Sequence, residues 1–106
     1  MYQFGEVVLL EYPYTDLSGV KLRPAIVLID TNDLDFIVVR ATSQSWQTEY
    51  DVVIEDWQSA GLLKPSIIRV HKLTSLETKL VMRKMGKLST KDLTALSDCI
   101  KRLFKV

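Results

Sequence analysis

The chain has 106 residues, 47% hydrophobic and 25% charged, the balance expected of one globular domain with its own core rather than of a disordered tail. A formal net charge of +1 excludes binding of nucleic acid through overall charge, so any such activity must come from a local groove. The single cysteine, Cys99, excludes an internal disulfide; no apolar run reaches the length of a membrane span, and no signal-peptide pattern precedes Gly5, so a cytoplasmic protein without a membrane partner is expected.

Taken in chain order, residues 5–12 read as a strand, apolar at nearly every position and therefore buried on both faces or paired at a subunit contact. Residues 13–21 are polar, with turn chemistry at Asp16, Ser18 and Gly19. A second strand is predicted over 22–30, where Pro24 is tolerable because it stands near the strand's start. Thr31-Asn32-Asp33 is a turn, and the β-branched stretch 35–41 a third strand. A polar loop carrying Trp46 spans 43–49, and a fourth strand is predicted over 50–55. Residues 56–64, around Trp57 and Gly61, read as a helical turn or an irregular loop, and strands at 66–73 and 80–85 complete the set.

The period then changes. Ser89 is a good N-cap, and Asp92 three residues on stands where a capping-box partner would. Leu93, Leu96, Ile100, Leu103 and Phe104 recur at helical spacing, which predicts an amphipathic helix over 90–104. Short strands followed by one such helix predict a mainly β (α+β) fold, a small bent sheet or open barrel with the helix over one opening. Charge divides along the same line. Residues 1–78 hold 6 Lys/Arg against 11 Asp/Glu, and residues 79–106 hold 8 against 2, which is either a solvated basic face or a rim for an anionic partner.

Few residues can carry chemistry. Arg23 precedes Pro24, which forces extended backbone and holds the arginine at a defined angle to its strand. Thr42 and Ser43 offer hydroxyls where the third strand ends. Alone, each of these is an ordinary strand-end residue; together, a guanidinium and a hydroxyl from two strands could grip a phosphodiester. Arg69 and His71 alternate onto one face of the fifth strand, and His71, the only histidine, could act as acid or base or simply pack. There is no Cys/His set, P-loop or Gly-rich dinucleotide loop, so no metal site or cofactor is expected.

Four stretches taken in order, Gly5-Glu6-Val7-Val8-Leu9-Leu10, Thr15-Asp16-Leu17-Ser18-Gly19, Leu22-Arg23-Pro24-Ala25-Ile26-Val27-Leu28 and Ala41-Thr42-Ser43-Gln44, resemble the opening of the MazF/PemK family of toxin endoribonucleases. Gly61-Leu62-Leu63-Lys64-Pro65-Ser66-Ile67-Ile68-Arg69 and Arg83-Lys84-Met85-Gly86-Lys87-Leu88-Ser89 resemble its later strands, so the likeness covers nearly the whole chain. The resemblance implies an SH3-like open barrel shared with CcdB toxins, a homodimer, a cognate antitoxin as partner, and metal-independent cleavage of single-stranded RNA. It places Arg23 and Thr42 at the family's catalytic positions and Arg69 at an arginine used in some branches. Those branches carry a carboxylate two residues later, where this chain has His71. Base recognition then falls to the polar loops, with Asp16, Ser18, Lys21, Gln44 and Trp46 as candidates. Two other functions share the fold: a toxin that binds a protein target, as CcdB does, and a catalytically silent interaction module.

Overall fold

The computed structural model describes residues 1–12, 21–45 and 47–106. Among them are six strands, β1 (Glu6–Tyr12), β2 (Lys21–Asp30), β3 (Asp35–Thr42), β4 (Asp51–Val53), β5 (Ile67–Glu77) and β6 (Val81–Lys87). A 3-10 turn at Thr78–Leu80 leads into β6, and α1 (Thr90–Phe104) follows it. The strands form one antiparallel sheet in the order β4-β5-β3-β2-β1-β6, the mainly β architecture expected.

The near-continuous hydrophobicity of β1 has a simple cause. β1 is an interior strand whose successive side chains enter two different cores. Val7 joins Ile26, Val39, Ile68 and Val70 beneath α1, while Val8 and Leu10 join Ala25, Val27, Phe36 and Val38 on the opposite side of the sheet. Val7, Val8 and Leu10 are thus consumed within the chain, in keeping with burial on both faces, while Leu9 and Tyr12 stay partly exposed.

Two strands differ in length from expectation. β4 ends early because its backbone donors soon leave the ladder: Ile54 N–H still bonds to the Ser66 carbonyl, the next step of the β4–β5 register, but those of Glu55 and Asp56 turn to the Asp92 carboxylate, each at 3.0 Å. β5 runs on past Leu73 to Glu77, because its polar Thr74-Ser75 pair lies opposite Val38 and Ile37 and completes the ladder on the first half of β3. A bulge between Val39 and Arg40 separates that half from the second.

α1 begins and ends where its periodicity and cap signals place it. Ser89 accepts the Asp92 N–H, while Asp92 itself, fully buried, reaches across to residues 55–56 instead of back to the cap's backbone. Leu96 and Cys99 pack into the core, and Phe104, which spacing assigns to the same stripe, is 55% exposed.

The sheet curls until the segment after β4 meets β6, closing the barrel on one side. Gly61 has φ +87°, and a Cβ there would collide with the Met85 carbonyl oxygen; a Cβ on Gly86 would meet the Ala60 carbonyl oxygen in the same way. Two backbones therefore approach more closely than side chains would allow. This contact brings residues 62–64 alongside the open ends of β1, β2 and β3.

Candidate active site

β2 contains a proline although it is an interior strand, and the local geometry shows how this is accommodated. On the β1 side Pro24 pairs with Leu9; on the β3 side, pairing starts only at Ala25↔Arg40 and runs to Asp30↔Phe36. A proline has no N–H to give to a ladder, and it sits just beyond the last pair. There β2 and β3 bound a groove of about 370 Å³. Extending their register sets Arg23 across from Thr42, so two residues 19 positions apart in sequence line one site, as do Ser43 and Gln44.

The groove has a distinct chemical character. Among the described residues its cations are Arg23, Arg40 and Lys64, its hydroxyls come from Thr42, Ser43 and Ser66, and no carboxylate lines it. Leu9, Pro24, Leu62, Leu63 and Met85 supply apolar surface, with Leu63 82% exposed at the rim. A local positive site thus exists on a nearly neutral chain. Thr42 Oγ1 accepts the Gln44 N–H at 3.2 Å, which fixes the hydroxyl oxygen and leaves its proton available for donation. Arg23 Nη1 donates to the Leu22 carbonyl at 3.4 Å and is half-buried.

Arg69 and His71 are not brought to this groove. Arg69 is buried and donates through Nε to Asp51 Oδ1 at 3.0 Å, so the carboxylate that the sequence lacks at position 71 arrives from the neighbouring strand, where Asp51 pairs with Arg69. His71 Nε2 lies 3.4 Å from Arg69 Nη2, its Nδ1 is buried without a hydrogen-bond partner, and its ring lies against Tyr50. Lys21 is exposed at the start of β2 and outside the groove lining, and Asp16, Ser18 and Trp46 lie outside the described residues. Trp57 packs on the first core, and Cys99, whose thiol is pushed up by burial, is a buried helix residue. Among the described residues, no three His, Cys, Asp or Glu side chains are grouped so that they could hold a metal ion.

The cationic groove residues missed in the sequence are Arg40 and Lys64. Arg40 had a usable signal: it stands two residues before Thr42 and so shares its face of the strand. Lys64 lies in an aperiodic segment and had none.

The family profile of the "PemK-like, MazF-like toxin of type II toxin-antitoxin system" matches residues 3–104. The chain belongs to this toxin family. Solved structures place the toxin's fold among the same proteins. It superimposes with TM-score 0.79 on an endoribonuclease solved in complex with its cognate antitoxin from a mycobacterial species, at 11% identity over 100% of this chain and 97% of that one. Mycobacterium tuberculosis toxin MazF-mt6 gives 0.78 at 17% identity, over 95% and 97% of the two chains. A MazE–MazF structure from Deinococcus radiodurans gives 0.79 at 15%, over 99% and 97%. No curated protein matches the toxin's sequence.

Acid should weaken the toxin's fold. At Asp51, burial pushes the carboxyl up, but two hydrogen bonds from Thr48 and the Arg69 guanidinium outweigh it and leave the carboxyl below its ordinary range. Burial likewise opposes, and Lys84 and the Gln3 N–H override, at Glu6; the Tyr2 and Asn32 N–H groups lower Asp30. Each group is held below its unfolded value, so each contributes stability that is complete above the ordinary carboxylate range and disappears as pH falls through the folded value. Urea unfolding should show stability falling below about pH 4; stability constant or rising on acidification would contradict these assignments.

Proposed function

We propose that the protein is the toxin half of a type II toxin–antitoxin pair and acts in the cytoplasm as an endoribonuclease on single-stranded RNA. The observation that carries this reading is the meeting of Arg23 and Thr42 in a groove that, among the described residues, carries three cations and no carboxylate. RNA brings its own nucleophile, the 2′-hydroxyl, so the protein needs only to align it and stabilise charge. Attack on the adjacent phosphorus places negative charge on the non-bridging oxygens. Arg23, a permanent cation with forked donors, and the Thr42 hydroxyl meet that charge as it develops. The 5′-oxygen leaves, giving a 2′,3′-cyclic phosphate and a 5′-hydroxyl. Two structural relatives support the reading: one is an endoribonuclease solved in complex with its cognate antitoxin, and another is a MazE–MazF structure. An antitoxin segment with acidic side chains would silence this toxin by occupying the same groove.

The test is incubation of the pure protein with mixed single-stranded RNA in the presence of EDTA. Cleavage supports the proposal; intact RNA together with capture of a protein target would favour the CcdB-like alternative.

The active form is a homodimer in this reading. Its support is an apolar hollow lined by Leu28, Ile29, Ile37, Leu73 and Phe104, in which Ile29 and Phe104 are about half exposed. Sedimentation should give twice the 12.1 kDa chain mass; a monomer at micromolar concentration would remove the dimer.

A further inference from the structure

We propose that Arg40 is a positioning residue that holds the phosphate one nucleotide away from the one gripped by Arg23 and Thr42, an inference that rests on the reading of the groove as an RNA site. The fold places this guanidinium at a disadvantage. Arg40 stands directly opposite Arg69 in the β3–β5 ladder, and like charges facing each other across antiparallel strands repel. Arg69 is compensated by Asp51 at 3.0 Å. Arg40 is not: among the described residues no ion pair involves it, and its Nε is buried with no hydrogen-bond partner. A buried donor on a charged group costs stability until something accepts from it.

What would accept is an anion supplied from outside. Arg40 lines the groove, and among the described residues no carboxylate lines it. It pairs with Ala25, two residues along β2 from Arg23, so the two arginines are diagonal neighbours on adjacent strands, roughly 7–8 Å apart at their backbones. That separation suits two successive phosphates of one strand better than two forks on a single phosphate. Lys64 at the same groove extends the cationic track. A chain of phosphodiesters fits this arrangement, whereas a lone carboxylate would leave two of the three cations unmet.

The test uses the full chain as Arg40→Gln and Arg40→Lys. Cleavage of single-stranded RNA gives kcat and KM. Anisotropy with a non-cleavable, fully 2′-O-methylated oligonucleotide pool at several salt concentrations gives Kd and its salt slope, and thermal melting reports the fold. Arg40→Gln should raise KM and Kd by about tenfold, the scale of one lost charge-assisted contact. It should flatten the plot of log affinity against log salt by about 0.7, one phosphate's share for a single strand. Its kcat should be largely kept and its Tm not lowered, since an uncompensated charge has been removed. Arg40→Lys should restore the salt slope and only part of the affinity, because an ammonium keeps the charge but loses the fork. Wild-type Kd and salt slope in an Arg40→Gln protein that still cleaves RNA would overturn the assignment of Arg40 alone, as would a lowered Tm with unchanged Kd. A wild-type protein that neither binds nor cleaves RNA would overturn the RNA reading and this assignment with it.

Discussion

Replacing Arg23 with alanine is expected to slow RNA cleavage by about 100- to 1,000-fold, the usual consequence of losing one preorganised donor to a developing oxyanion. That factor corresponds to roughly 3–4 kcal/mol of transition-state stabilisation. The loss should appear mainly in kcat, because the charge that Arg23 meets is greater in the transition state than in the bound substrate. Thr42→Ala should be impaired in the same direction, and Thr42→Ser should recover activity, since serine keeps the hydroxyl that accepts the Gln44 N–H and still has a proton to donate. The two sites should not be additive, because both act on the same phosphate. Neither change should unfold the protein: both side chains are half-buried at the groove mouth and outside the two cores. Cleavage by Arg23→Ala at the wild-type rate would remove the catalytic assignment.

The largest effect on stability is expected at Asp92. This side chain is fully buried and accepts the backbone N–H groups of Glu55 and Asp56, each at 3.0 Å, with Ser89 Oγ at 3.3 Å. It therefore ties the start of α1 to the end of β4 and to the segment that crosses towards β6. Hydrogen bonds to a charged acceptor contribute roughly 1.5–3 kcal/mol each, and alanine would leave two backbone donors without a partner. A loss of about 3–5 kcal/mol is expected, a large share of the roughly 5–15 kcal/mol that holds a domain folded. Melting should fall by about 10 °C or more. Asp92→Asn, which keeps one good acceptor oxygen, should lose less. An Asp92→Ala protein that melts with the wild type would show that residues 55–56 are held by other contacts.

These two residues illustrate what was legible in the sequence. The helix was, because its cap and its apolar spacing are local signals, and Thr90–Phe104 forms where they place it. Asp92 was half legible: its position three residues after Ser89 gave it a capping role, while its main bonds go to residues 36 and 37 positions away, which no local pattern reports. Arg23 and Thr42 were each legible only as strand ends; the resemblance gave them roles. Their convergence depends on the β2–β3 register, and the proline that ends that pairing was visible without its consequence. The reach of β5 to Glu77 was hidden because Thr74 and Ser75 break the apolar pattern while still pairing with β3. Arg69 and His71 do share a strand and lie within 3.4 Å of each other, but Asp51 draws the arginine away from the groove. Ion pairing across strands decided that placement, and alternation along one strand could not reveal it.

The central claim, that this groove lets RNA's own 2′-hydroxyl cut the chain, is tested most directly by the ends of the products and by the fate of a substrate lacking that hydroxyl. Once a cleavage site has been mapped, two oligonucleotides should be compared, one all-ribose and one with 2′-deoxyribose at the nucleotide 5′ to the cut. The all-ribose strand should be cleaved to a 2′,3′-cyclic phosphate and a 5′-hydroxyl, and the deoxy-substituted strand should remain whole. Products bearing 5′-phosphates, or equal cleavage of both strands, would contradict the account.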